Sequence, residues 1–318
     1  MGAASSSAPP LGAPASGAPS GMRVWLMAIR PATLPAAVAP VLVGLGAAIG
    51  SGAAFRPDAA VACLAVALLL QIVANLANDL ADFRRGADTP DRTGPVRVAA
   101  AGLMTERRLE VGIGVVVAAA GLVGVYLAVL GGPGMLALGA VAVVAALAYT
   151  GGPWPYGYRG LGEVFVFAFF GVMAVGATAY LQAGRVEPIF LVAAVPIGSL
   201  ITGILIVNNL RDVPTDRAAG KRTLAVTFGE GFAKGEYYLA LVVAAVVPVA
   251  LLTARAAGPA VLLALLAGPM VPPLVREIRD VGPGSDRRRL NLVLKGTARL
   301  SLVYGLLFAV GLAVRVGA

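Results

Sequence analysis

An all-α, polytopic membrane fold is the architecture that this 318-residue chain predicts, and three properties predict it. The chain is 58% hydrophobic and only 13% charged, with a mean hydropathy of +0.86, outside the range of soluble domains. Nine apolar stretches recur along it, each close to the ~20 residues that a helix needs to cross the hydrocarbon core. Finally, Lys and Arg are distributed very unequally between the connections.

The expected spans, in order, are 34–50, 58–81, 111–131, 134–150, 162–182, 189–210, 236–254, 258–275 and 298–316. If the amino terminus is placed inside, only Arg56, Arg185, Arg255 and Arg315 fall outside, leaving 21 of the 25 Lys and Arg residues inside. This asymmetry supports both the helix count and an orientation with the amino terminus in the cytoplasm. The inner connections are long and polar, at 82–110, 211–235 and 276–297, whereas the outer ones are short, which places function on the inner face. The inner loop 151–161 combines turn formers with Trp154, Tyr156, Tyr158 and Arg159, a composition suited to an aromatic pocket or to an interfacial anchor.

Residues 1–21 are rich in Ala, Ser, Pro and Gly and carry no charge. They are expected to form a disordered tail ahead of one membrane domain, 22–318. Gly2 with Ser6 fits an acylation pattern, as it would by chance in such a composition. The tail has neither the basic start nor the apolar centre of a signal peptide.

Composition also excludes chemistry. There is no histidine, and Cys63 is the sole cysteine, in an apolar run. Haem–His ligation, zinc–His sites, thiolate clusters, internal disulfides and Ser-His or Cys-His catalysis are all ruled out. The net charge of +9 lies in the inner loops without interleaved aromatics, so no nucleic-acid partner is expected.

What remains are carboxylates, concentrated in two motifs on the same expected side. The first is Asn75-Leu-Ala-Asn78-Asp79-Leu-Ala-Asp82, followed by Asp88 and, as a secondary candidate, Asp91. The second is Asn208-Asn209-Leu-Arg-Asp212-Val-Pro-Thr-Asp216. Asn75, Asp79 and Asp82 stand at i, i+4 and i+7, and Asn208, Asp212 and Asp216 at i, i+4 and i+8, so each set shares a helix face wherever the helix continues. Pro214 argues against continuation in the second set. Each motif is followed by Gly and basic residues, an echo expected from duplication of a four-helix unit.

Acids at a membrane face mark an ion or substrate path, and oxygen-only ligands select Mg²⁺, with Mn²⁺ as a substitute. Two such sets predict two metal ions gripping one diphosphate, with Arg92, Arg97, Lys221 and Arg222 as candidates for its free oxygens. A diphosphate above a water-poor apolar chamber implies an isoprenoid substrate that ionises to an allylic cation. A secondary transporter is the rival of a different class, but it predicts charges at the bilayer midplane rather than at one face.

Asn78-Asp-Leu-Ala-Asp82 with Arg85-Gly-Ala-Asp88, Pro90-Asp-Arg-Thr-Gly-Pro95 and Arg97 resembles the first signature of the UbiA-type membrane prenyltransferases. Asn208 to Asp212, Thr215-Asp-Arg217 and Gly220-Lys-Arg-Thr-Leu224 resemble the second, and Arg30 to Pro35 and Tyr158 to Glu163 are also similar. Gly86, standing where relatives carry the last Asp of the first motif, points to the menaquinone branch, the 1,4-dihydroxy-2-naphthoate polyprenyltransferases.

The resemblance implies a nine-helix bundle around a prenyl-binding chamber and Mg²⁺-dependent transfer from a polyprenyl diphosphate to the naphthoate, with loss of CO₂. It implies Asp79, Asp82, Asp212 and Asp216 as principal carboxylates, assisted by Asn75, Asn78 and Asn208; it leaves the role of Asp88 open, although its place just after the first motif would let it extend that set. Arg30 or Arg159 would hold the acceptor carboxylate, and Tyr149 would contact its ring. A second-motif Asp or Tyr149 would handle an acceptor proton. Other acceptors, such as 4-hydroxybenzoate, homogentisate or a tetrapyrrole, are same-class alternatives. A bacterial plasma membrane is the expected location.

Overall fold

The structure is a computed structural model, and it describes residues 21–87, 93–282 and 284–314. The expected tail except Gly21, the candidate residues Asp88, Asp91 and Arg92, and Arg315 lie outside the described residues. Among those described there is no strand.

Helix α1 (Gly21–Ile29) is followed by a tight turn and by α2 (Pro35–Gly50), the two being bent by 47°. The chain continues as α3 (Pro57–Arg84), α4 (Glu106–Gly131), α5 (Gly134–Ala148), α6 (Gly162–Ala183), α7 (Pro188–Ala218), the short α8 (Leu224–Phe228), α9 (Glu230–Thr253), α10 (Pro259–Arg279) and α11 (Leu290–Ala313). A helix stands at each of the nine expected spans. By length and composition, however, seven of the described helices suffice to cross a membrane, or eight if the bent pair is one span. The shortfall is α5: its 15 residues reach only about 22 Å, against a core of ~30 Å.

α3 and α7 overshoot in the other direction. At 28 and 31 residues they exceed what the hydrocarbon requires by about a third or more. The extra turns are the two acidic motifs, which the helices carry out past the apolar core.

Pro214 does not end α7. Its ring nitrogen has no hydrogen to give the carbonyl of Leu210 one turn back. Arg287, entering just before α11, donates Nη1–H to that oxygen at 2.7 Å and pairs with Glu230 at the start of α9. A side chain from elsewhere thus replaces the missing backbone donor, and the second motif stays helical to Asp216.

Small residues close the bundle, as apolar solvent on the outside requires. A Cβ on Gly46 of α2 would lie 2.2 Å from the Ala309 carbonyl oxygen of α11, and one on Gly305 would meet Ala39 at 3.0 Å. Gly171 of α6 and Gly198 of α7 face one another across a comparably tight contact. Around Gly171, residues Phe167–Met173 form a π-helical stretch of the kind often found at functional sites.

Loss of the surrogate donor should weaken α7. Arg287→Ala is expected to destabilise the detergent-solubilised protein by about 1.5–3 kcal/mol, as for a hydrogen bond to a charged group. Pro214→Ala should recover part of that loss by restoring the amide. Melting curves of the two single variants and the double variant check this, and additive effects would contradict it.

Candidate active site

The carboxyl-terminal turns of α3, α5 and α7 and the amino-terminal turns of α6 and α11 meet at one face of the bundle. Together with the segment joining α1 to α2 and the loop 93–104, they ring the mouth of a chamber of about 1330 Å³. Its depth is lined by Val, Leu, Ala, Met and Phe. Its mouth carries Asn75, Asn78, Asp82, Asn208, Asp212, Asp216, Arg30, Arg97, Lys221 and Tyr149.

The second motif is organised by Arg211, 1% exposed. It forks onto Asp212 through Nε–H at 2.7 Å and Nη2–H at 2.5 Å, and it also reaches Asn208 Oδ1 at 2.7 Å and Asn291 Oδ1 at 2.9 Å. Asn291 in turn donates to the Thr93 carbonyl at 2.9 Å, tying the second motif to the loop that follows the first. Asp216 takes Lys221 at 3.4 Å on Oδ1, while its buried Oδ2 has no hydrogen-bond partner among the described residues.

In the first motif Asp82 faces the chamber, accepting Arg97 Nη2–H at 2.8 Å and the Tyr158 hydroxyl at 3.0 Å. Asn78 receives Thr150 Oγ1–H at 3.0 Å. Asn75 spends its amide on structure, donating to the Ile29 carbonyl and to Thr33 Oγ1, and so holds the break between α1 and α2. Asp79 sits differently from its neighbours in the motif. It is fully buried and absent from the chamber lining. Its two oxygens receive the amides of Val98 at 3.1 Å and Ala99 at 3.0 Å, with Arg30 at 3.5 Å.

Tyr158 lies beneath two cations, with Arg85 5.4 Å and Lys221 5.6 Å from its ring centre. Burial, and then the charge of Asp82, push the Tyr158 hydroxyl above its ordinary range, so it stays a donor. Burial alone would lower the Lys221 ammonium; Asp216, Asp82 and Asp212 outweigh it and raise the pKa, so the side chain remains cationic.

Two expected binding residues point elsewhere. Arg159 stacks on Trp154, 4.8 Å from the ring centre, and does not line the chamber. Arg222 is exposed, and it is its backbone amide that acts, donating to the Tyr158 carbonyl at 2.9 Å. Sequence reasoning missed Arg211, Asn291 and the hydroxyl of Tyr158. The aromatic pocket expected of Tyr149 and the 151–161 loop extends further than sequence reasoning took it, onto two phenylalanines of α6: Tyr149 meets Tyr156 edge-on at 5.4 Å, Tyr156 stacks on Phe165 at 4.0 Å, and Phe169 follows at 6.1 Å. The Tyr and Phe residues were visible, but only the packing of α6 against the 151–161 loop puts them on one surface.

The donor set suits a hard divalent ion, with oxygen ligands only and an unsatisfied buried oxygen on Asp216. Among the described residues no three acidic side chains converge tightly enough to hold a metal unaided. An ion here would therefore need part of its shell from substrate phosphate or water, the usual arrangement for Mg²⁺.

The UbiA prenyltransferase family model matches residues 37–313. The chain is 42% identical over 289 residues to a 1,4-dihydroxy-2-naphthoate octaprenyltransferase of Mycobacterium tuberculosis, covering 91% of this chain and 96% of the relative. It is 37% identical over 297 residues to the Escherichia coli protein of the same name, with 91% and 95% covered. A UbiA homologue from Aeropyrum pernix K1 superposes with a TM-score of 0.60 at 17% identity, covering 87% and 96%. One from Archaeoglobus fulgidus bound to GPP and Mg²⁺ does so with 0.56 at 17%, covering 90% and 99%. With the two acidic motifs at the mouth of one apolar chamber, these likenesses establish that the chain is a member of the UbiA prenyltransferase family.

Proposed function

We propose that the protein transfers a polyprenyl group from a polyprenyl diphosphate to 1,4-dihydroxy-2-naphthoate, releasing CO₂ and diphosphate and forming demethylmenaquinol, the reduced form of demethylmenaquinone. The observation that carries this reading is the chamber of about 1330 Å³, apolar in its depth and acidic at its mouth, together with the names of the relatives. The motif face is cytoplasmic by the distribution of Lys and Arg, and the membrane is a bacterial plasma membrane.

The apolar depth takes the prenyl tail by non-directional burial. Asp82, Asp212 and Asp216, with Asn78 and Asn208, are the residues that would hold Mg²⁺. Bound there with the diphosphate, the ion would neutralise charge that grows as the allylic C–O bond breaks. Arg97 and Lys221 line the same mouth and bind the phosphate oxygens, stabilising the leaving group that departs with the electron pair. The wall of Tyr149, Tyr156, Phe165 and Phe169 keeps water from the allylic cation and offers it aromatic faces. Attack by the ring carbon that bears the carboxylate forms the new C–C bond. Loss of CO₂ then returns its bonding pair to the ring, so the naphthoate carboxylate leaves in place of a ring proton. Arg30 is the lining cation assigned to orient that carboxylate, a role Arg159 does not share because it lies outside the chamber.

Metal dependence comes first among the tests. Activity should vanish with EDTA and return with Mg²⁺ or Mn²⁺, and full turnover in metal-free buffer would contradict the oxygen-ligand reading. Asp82→Asn and Asp216→Asn should each lower kcat by about 100-fold or more, the scale of losing one preorganised electrostatic group. Near-normal turnover would reduce that carboxylate to a packing role.

Arg30→Gln should raise the naphthoate KM by roughly 10- to 150-fold, whereas Arg159→Ala should change it by no more than about twofold. With carboxyl-labelled naphthoate, CO₂ should appear in step with product. A product that retains the label, or a preference for 4-hydroxybenzoate, would overturn the acceptor assignment while leaving prenyl transfer intact.

A further inference from the structure

Among the described carboxylates of the two motifs, Asp79 is the one that does not line the chamber. It is 0% exposed, and its surroundings are complete. Oδ2 accepts the Val98 amide at 3.1 Å and lies 3.5 Å from Arg30 Nη2, while Oδ1 accepts the Ala99 amide at 3.0 Å. Two of these partners begin the helical turn that closes when the Ala101 amide bonds the Arg97 carbonyl, so Asp79 caps that turn from another element, as an N-cap residue does within its own helix. The third partner, Arg30, sits at a backbone break with φ 56°, a conformation that non-glycine residues adopt only when their surroundings impose it.

Both elements held by Asp79 deliver a cation to the chamber mouth. Arg97 immediately precedes the capped turn and reaches Asp82 at 2.8 Å, and Arg30 lines the chamber directly. Asp82 and Asp212 also carry hydrogen bonds but open onto the chamber, whereas Asp79 does not line it, so for Asp79 to meet a metal in the chamber it would have to swing out of a buried site that holds two amides and a guanidinium.

We infer that Asp79 is a positioning residue rather than a metal ligand: from behind the first motif it sets the places of Arg97, which meets the diphosphate, and Arg30, which meets the acceptor carboxylate. The substrate assignments rest on the function proposed above. The anchoring of residues 97–101 does not, so the two fail separately.

The test compares Asp79→Asn with Asp82→Asn. In Asp79→Asn the Mg²⁺ concentration for half-maximal activity should stay within about threefold of the parent, while KM for the prenyl diphosphate and for the acceptor should both rise by about 10-fold. Hydrogen exchange at Val98 and Ala99 should speed by about 10-fold or more as one acceptor is lost. In Asp82→Asn the Mg²⁺ requirement itself should shift. Asp79→Ser, which keeps an acceptor oxygen without charge, repeats the comparison.

If neither Asp79 variant folds, the parent protein decides. On addition of Mg²⁺ with inorganic diphosphate, the Val98 and Ala99 amides should stay protected. An Asp79 that moves to a metal would release them. Faster exchange at these amides on metal addition, or a Mg²⁺ shift in Asp79→Asn as large as that in Asp82→Asn, would overturn the inference.

Discussion

Carboxylates placed at the boundary of an apolar chamber must be held by cations, and the architecture of this protein follows from how those cations are supplied. Asp79 is met by Arg30, Asp82 by Arg97, Asp212 by Arg211 and Asp216 by Lys221. Arg30 comes from the break between α1 and α2, Arg97 from the loop after α3, Arg211 from α7 itself and Lys221 from the segment beyond it. Such pairs contribute little net stability against apolar replacements, but breaking one strands a buried charge. Their effect is to specify arrangement: each pair fixes one connection to one motif.

The Arg211–Asn291–Thr93 chain extends this to the bundle as a whole, because it joins the second motif on α7 to the first turn of α11 and to the loop that follows the first motif. Arg287 on the Leu210 carbonyl performs the neighbouring task of keeping α7 helical across Pro214. Polar side chains thus order the mouth, while glycine and alanine contacts such as Gly46 on Ala309 order the membrane interior. Dispersion alone, acting between small residues, closes the helices where no polar group is available.

The chemistry depends on this division. The tail of an isoprenoid requires only volume and apolar surface, which the depth of the chamber provides. Ionisation and acceptor capture require charges held in fixed places, and those lie on helix ends braced by at least two other elements. The aromatic wall stands between the two regions, formed where the π-helical stretch of α6 brings Phe169 into line with Phe165 and Tyr156.

The amino-acid sequence by itself determined the all-helical membrane class, the positions of the expected spans, the lack of histidine donors and the two motifs, because hydropathy, charge asymmetry and composition act without reference to distant contacts. The roles within a motif were another matter. Around a helix, Asn75, Asn78, Asp79 and Asp82 fall within a sector of about 100°, and spacing cannot tell which edge faces a chamber and which faces a loop. Asp79 lies at the edge where the Val98 and Ala99 amides arrive, 19 and 20 residues away in the chain. The same limit hid Arg211, read as one more inner-face charge, and placed Arg159 at an acceptor site when Trp154 holds it outside. Only the tertiary structure decided these assignments, because a buried polar side chain acts through whichever partners packing brings within about 3 Å.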